Sequence, residues 1–184
     1  MSGHHLILGQ LTDILTGETI EDNHDERYRQ SIARLLLEKK GYARADIRAR
    51  TPLTVRAGKN SARVYPDFLV SVNKISAMLI RYGPGSVVTR RQPAMAMAHL
   101  LAPHEIPLVV VTNGIDAEIL RTRDNEIIGT GLDAIPGRKE LTGMIASFGP
   151  LPLVPDRRRE MAARLVYCYE VDGACPCDET ICRL

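Results

Sequence analysis

Cysteine stands at Cys168, Cys175, Cys177 and Cys182 and nowhere else in the chain. Four soft ligands in one short segment suit a structural zinc ion, which takes thiolates in a tetrahedron. The spacing Cys168-x6-Cys175-x-Cys177-x4-Cys182 departs from paired C-x-x-C knuckles. Unligated thiols, or a redox pair at Cys175–Cys177 or Cys177–Cys182, therefore stay open beside zinc. A disulfide framework would instead spread its cysteines through the chain. Gly173, Ala174 and Pro176 offer no apolar core, so a metal would have to order this segment.

Cationic chemistry is concentrated elsewhere. Residues 44–63 carry Arg44, Arg48, Arg50, Arg56, Lys59 and Arg63 against a single acid, Asp46. Such an excess favours contact with a polyanion, and a solvated hairpin is the plainer alternative. Gly83-Pro84-Gly85-Ser86 followed by Arg90 and Arg91 reads as a loop able to hold a phosphate, or as a turn before a basic helix. The G-x-x-x-x-G-K-(S/T) spacing of a P-loop is missing. His99 and His104 flank Pro103 and read as surface histidines, while Met95 and Met97 read as packing. Arg157-Arg158-Arg159 opens the last predicted helix, where cations oppose the dipole. An anion or acidic partner, or simply an exposed helix face, would account for it.

These residues need a scaffold, and the chain spells one out. Thr16-Gly17-Glu18-Thr19 reads as a turn between two short strands. Asp22 or Asn23 can cap a helix whose first turn holds Asp25 and Glu26. Tyr28, Ile32, Leu35 and Leu36 give it an apolar face, and Gly41 ends it. Ile47–Val55 and Val64–Val72 read as strands joined at Ala57-Gly58-Lys59-Asn60, and Asn73-Lys74 turns into a third strand, Ile75–Tyr82. A helix over Gln92–Leu101 precedes Leu108–Thr112, an apolar β-branched run of the kind found in buried central strands. Strands at Ala117–Arg121 and Asn125–Gly129 follow. Helices over Arg138–Phe148 and from Asp156, read as its cap, to about Tyr169 close the pattern. The expected fold is α/β, a mixed central sheet of four to six strands flanked by helices. Residues 1–22 read as an extension, 23–155 as the main unit, and 156–184 as a C-terminal helix and cysteine-rich tail of the same domain.

Composition narrows the function. The chain has 184 residues, 45% apolar and 25% charged, close to an average globular domain. No apolar run approaches the roughly 18 residues of a membrane span, and Met1–Leu11 lacks a signal-peptide pattern, so a cytoplasmic location is expected. A net charge of +2 does not by itself demand nucleic acid, and 4% aromatics without tryptophan argues against a binder that stacks many bases.

Four segments in this order resemble the N-terminal domain of type I restriction enzyme R subunits, within the PD-(D/E)xK nuclease-like superfamily. They are the helix Asp25–Leu36 with its R-x-x-(I/L)-x-x-L-L run, Glu38-Lys39-Lys40-Gly41-Tyr42, Arg63-Val64-Tyr65-Pro66-Asp67, and Val109-Val110-Val111-Thr112-Asn113-Gly114. Together they cover roughly residues 20–122. The resemblance implies a restriction-endonuclease-like fold. In active members, two carboxylates and a lysine on adjacent strands hold a divalent cation such as Mg2+ and activate a water. Asp67 matches the first carboxylate. The next strand, Ala77-Met78-Leu79-Ile80-Arg81-Tyr82-Gly83, puts Arg81 where the second acid belongs and Gly83 where the lysine belongs, and no acid occurs between Asp67 and Glu105.

That departure sets the expectations. A guanidinium at position 81 would repel a cation and pair with Asp67. The expected protein is nucleic-acid-associated with a degraded catalytic motif, touching phosphates through Arg63, Arg81, Arg90 and Arg91. The alternatives are an active Mg2+-dependent endodeoxyribonuclease with migrated residues, and a non-catalytic domain that binds a protein partner. In the active case Glu26 would reach in from the first helix and Lys74, Arg90 or Arg91 would supply the positive charge. Some nucleases of this fold carry an iron–sulfur cluster, but with a cysteine far upstream, which this chain lacks.

Overall fold

The computed structural model describes residues 6–172 and 181–183. Cys175 and Cys177 of the expected zinc set lie outside the described residues. Strands β1 (Gly9–Thr12) and β2 (Thr19–Asp22) pair as the expected hairpin. Helix α1 (His24–Arg34) starts where its cap dictates: the Asn23 side chain accepts the Glu26 backbone N–H at 2.8 Å. A π-helical turn, Leu35–Lys39, extends it.

The next two predicted strands each break in two. Ile47–Val55 becomes β3 (Ile47–Ala49) and β4 (Leu53–Ala57), divided at Arg50, whose φ of 49° leaves the extended region. Val64–Val72 becomes β5 (Asn60–Val64) and β6 (Phe68–Val72), divided at Pro66, which has no N–H for a ladder. The hairpin β4–β5 thereby leaves the main sheet. Asp67 stands where the chain returns to it.

Strand β7 (Ile75–Tyr82) is as expected, and one 3-10 turn at Val88–Arg90 leads into α2 (Arg91–Ala98). Then follow β8 (Leu108–Thr112), β9 (Ala117–Arg121), β10 (Glu126–Thr130) and α3 (Arg138–Phe148). Helix α4 (Asp156–Val166) runs on as a π-helical segment, Tyr167–Asp172, before the short strand β11 (Ile181–Arg183). Asp156 is the first helical residue rather than the cap, a place taken by Pro155.

The main sheet has the order β10-β9-β8-β7-β6-β3, with β7 and β8 parallel and every other pair antiparallel. A second sheet has the order β11-β5-β4. The inner strands β6, β7 and β8 are buried on both faces, while the edge strand β10 is exposed. Phe68, Met78, Ile80, Leu108 and Val110 pack with Ile32 of α1, Leu36 of the π-helical turn after it, and Leu141 and Ile145 of α3. Leu69, Leu79, Val109 and Val111 pack on the other face with α2 and α4, and with Leu53, Val55, Ala62 and Val64 of the small sheet. Each such side chain contributes about 1.5–3 kcal/mol on leaving water. No helix of the described residues is long and apolar enough to cross a membrane.

Candidate functional site

Asp67 is held at the start of β6, and the register that pairs Phe68 with Ile80 brings it beside Arg81 on β7. Its carboxylate accepts three hydrogen bonds. Oδ1 accepts Nε of Arg29 at 2.7 Å; Oδ2 accepts Nη1 of Arg81 at 2.8 Å and the backbone N–H of Tyr82 at 2.9 Å. The Asp67 side chain is 3% exposed and that of Arg81 12%. Burial opposes charge on Arg81, but the carboxylates of Asp67 and Glu170 outweigh it and hold the guanidinium more firmly protonated than usual.

Glu170, from the π-helical segment after α4, accepts the second arm of that guanidinium, Nη2, at 2.8 Å. On the other side Arg29 lies 3.6 Å from Glu26, and Glu26 also takes a close bond from Arg50 and one from Nε2 of Gln30 at 3.0 Å. The charges alternate in sequence of contact: Arg50, Glu26, Arg29, Asp67, Arg81, Glu170. Three acids face three guanidiniums. Such pairing is what permits ionised groups in a low-dielectric interior.

The expected lysine position is occupied in space by another residue. A Cβ built on Gly83 would fall 2.6 Å from Cζ of Arg90, so the Arg90 guanidinium lies over the bare Cα. The four phosphate-contact candidates have different commitments. Arg81 is buried between two carboxylates, and Arg91 makes a bidentate pair with Glu118 at 2.5 and 2.6 Å. Arg63 is exposed on β5, and Arg90 packs on Gly83 with no carboxylate partner among the described residues. Lys74 is a correction to the expected set: it is exposed in the turn beyond the far end of β6, roughly 20 Å along the strand from Asp67. Glu26 is brought to the site, but Arg29 separates it from Asp67.

The Gly83–Ser86 loop is tied to its neighbour. The Gly83 N–H donates to the Thr112 carbonyl at 3.0 Å, and Nδ2 of Asn113 to the Gly85 carbonyl at 3.1 Å. Gly114, at φ 87°, has Tyr28 pressed on it so closely that a Cβ would fall 2.3 Å from the ring. Tyr28 in turn stacks on Tyr82 with centroids 5.8 Å apart, and the Tyr82 hydroxyl donates to Asp25 at 3.0 Å. Arg29 lies 5.2 Å from the Tyr82 ring centroid, a cation–π contact. The quoted segments of α1, β7 and the Thr112-Asn113-Gly114 loop thus meet around one tyrosine.

Sequence reasoning passed over Arg29 and Glu170, and counted Arg50 only within the cationic stretch 44–63. Arg29 had a local signal, since it follows Glu26 by three residues on the same helix face. Glu170 had none, being 103 residues beyond Asp67 in the chain. Among the described residues no three of His, Cys, Asp and Glu gather to hold a metal, and Cys168 and Cys182 are exposed free thiols.

A mixed sheet between helices, with an aspartate entering one central strand and its partner residue on the next, is the architecture of restriction-endonuclease-like α/β proteins. Residues 24–136 match the family model of the type I restriction enzyme R protein N terminus, and the chain belongs to that family. Searches of curated proteins and of solved structures returned no match.

Proposed function

We propose that this domain is a nucleic-acid-associated member of its family whose cleavage chemistry has been lost. One observation carries the reading: the Arg81 guanidinium lies between the carboxylates of Asp67 and Glu170, 2.8 Å from each. A divalent cation needs open carboxylate lone pairs and no competing positive charge, whereas Asp67 gives three of its about four lone pairs to two guanidiniums and a backbone N–H. The donor set at Asp67 does not fit Mg2+. Arg81 supplies the compensating charge itself.

Association with nucleic acid is supported by a different face. Arg56, Lys59 and Arg63 are exposed on the β4–β5 hairpin with no acidic partner among the described residues. Arg44 is likewise exposed, with no acidic partner among the described residues. Contacts of this kind neutralise phosphates without reading bases, so affinity should fall steeply with salt.

The test has two arms. Plasmid DNA is incubated with the protein and Mg2+ or Mn2+, and no nicking is expected; cleavage that Asp67→Ala abolishes would overturn the loss of chemistry. Fluorescence anisotropy with labelled duplex should detect binding at low salt that Arg56→Glu with Arg63→Glu removes. Absence of binding at low salt would leave a protein partner as the ligand of this domain. For the cysteines we propose one bound zinc ion in the C-terminal segment, supported by the sequence clustering of Cys168, Cys175, Cys177 and Cys182. Elemental analysis of protein purified without chelator decides it. Four titratable thiols and no zinc would reject that assignment.

A further inference from the structure

The outer side of α4 and its π-helical extension carries an exposed apolar stripe, whose one tie to the rest of the described structure is the Tyr169 hydroxyl donating to Oε1 of Gln92 at 3.2 Å. Met161 is 57% exposed, Leu165 41% and Tyr169 49%. They recur every four residues. The π-helical segment preserves the alignment, because its wider turn of about 4.4 residues keeps Tyr169 above Leu165 instead of letting it drift round the axis. The opposite side of the same helix is the buried one, with Ala162, Ala163 and Val166 in the core. Soluble helices ordinarily put charge on the side away from the core. The stripe needs a partner.

The flanking charges say which. Arg157, in the first turn, is exposed and has no acidic partner among the described residues. Asp172, at the end of the π-helical segment, is exposed and has no basic partner there either. These two charges and the apolar triplet are arranged symmetrically about Leu165. Met161 and Tyr169 stand four residues to either side of it, Arg157 eight before it and Asp172 seven after it. A second α4 laid antiparallel across the first therefore brings Leu165 onto Leu165 once, at the two-fold axis, and sulfur of Met161 onto the ring of Tyr169 and Arg157 opposite Asp172 twice each. Met–aromatic contacts of this type are favourable, and a patch complementary to itself is what a two-fold interface requires.

We infer that this face is a docking site for a second copy of the chain, paired through antiparallel α4 helices. The residues involved lie outside the family-matched segment 24–136, so the interface belongs to this chain's own C-terminal region. One helix pair is a small interface, and the association is accordingly weak and concentration-dependent.

Sedimentation equilibrium of the 184-residue chain tests it. The weight-average mass should rise from 20.4 kDa toward twice that value as concentration is raised into the hundred-micromolar range. Leu165→Glu should hold the mass at the monomer value with an unchanged thermal midpoint, since the side chain is solvent-facing. Arg157→Asp and Asp172→Arg should each weaken association, and the double variant should restore it by exchanging the charges. A wild-type chain that stays monomeric throughout, or a dimer indifferent to Leu165→Glu, overturns the interface. Failure of the double variant to recover association overturns the antiparallel pairing. Cys168 offers a control: antiparallel register sets the two copies of it about 9 Å apart along the axis, too far for a direct disulfide. A dimer trapped by oxidation through Cys168 would contradict this geometry.

Discussion

Two clusters of buried charge sit at opposite ends of the parallel pair β7–β8, and they solve the same problem differently. At one end Asp67 and Arg81 belong to a chain of alternating charges in which each member has a counter-charge within hydrogen-bond or near-contact distance. At the other end Glu105 is buried with Arg158 at 3.0 Å and His99 at 3.9 Å. There His99 Nδ1 has no hydrogen-bond partner among the described residues, and burial followed by the charge of Arg158 lowers its pKa to about 4. The first cluster keeps its ions by pairing them. The second keeps its histidine by leaving it neutral. Mutation should therefore disturb the first most, and acid the second.

The largest expected effect comes from removing a charge where every charge is matched. Arg81→Ala leaves Asp67 and Glu170 uncompensated and should cost about 3–5 kcal/mol in denaturant unfolding. Asp67→Asn placed in that background should recover part of the loss, because the buried anion goes with its partner. A cost below 1 kcal/mol would mean the two carboxylates find water or an outside cation. Added Mn2+ that stabilises Arg81→Ala but not the wild type would sharpen the point, since the guanidinium would then be standing in a cation's place.

The second cluster should respond to pH. An unfolded histidine takes up its proton near pH 6.5, whereas folded His99 does so only near pH 4. Between those values the unfolded chain binds more protons, so stability falls as pH drops from about 6.5 to 4 and this contribution levels off below. Its full size is about 3 kcal/mol. His99→Gln should flatten that window in a pH series of urea midpoints, and an unchanged slope would assign the acid sensitivity elsewhere.

Smaller effects probe the seams of the first cluster. Tyr82→Phe removes only the hydroxyl bond to Asp25 and should cost about 1 kcal/mol. Gly83→Ala should cost less than about 1 kcal/mol, because the atoms its Cβ would meet are the end of the flexible Arg90 side chain. A larger penalty there would show that Arg90 is fixed in position over Gly83.

How much of this was legible beforehand varies by element. The strands Ile75–Tyr82 and Leu108–Thr112 and the helix Arg138–Phe148 follow from spacing and local chemistry, and the structure has them at those residues; of the two possible caps, Asp22 and Asn23, it uses Asn23. Two predicted strands broke, because an apolar alternation running past Arg50 or Pro66 does not reveal that the chain changes sheets there. The pairing of Arg81 with Asp67 was legible, since strand register and opposite charge both require it. Lys74, one of the three cations expected to serve a migrated site, stands in the turn beyond the far end of β6 from Asp67, a separation set by strand rise.

What the sequence alone determined was which residues bear charge, which segments alternate, and that no acid stands at position 81. Family membership rests on the same residue order. What only the tertiary structure decided is the company each charge keeps. Glu170 reaches Arg81 because α4 packs along α2 and β4 and its π-helical extension brings the Glu170 carboxylate to 2.8 Å from that guanidinium. Arg29 reaches Asp67 because α1 packs at the mouth of β6. Coulomb interaction depends on separation in space and on burial, neither of which is written in spacing along the chain.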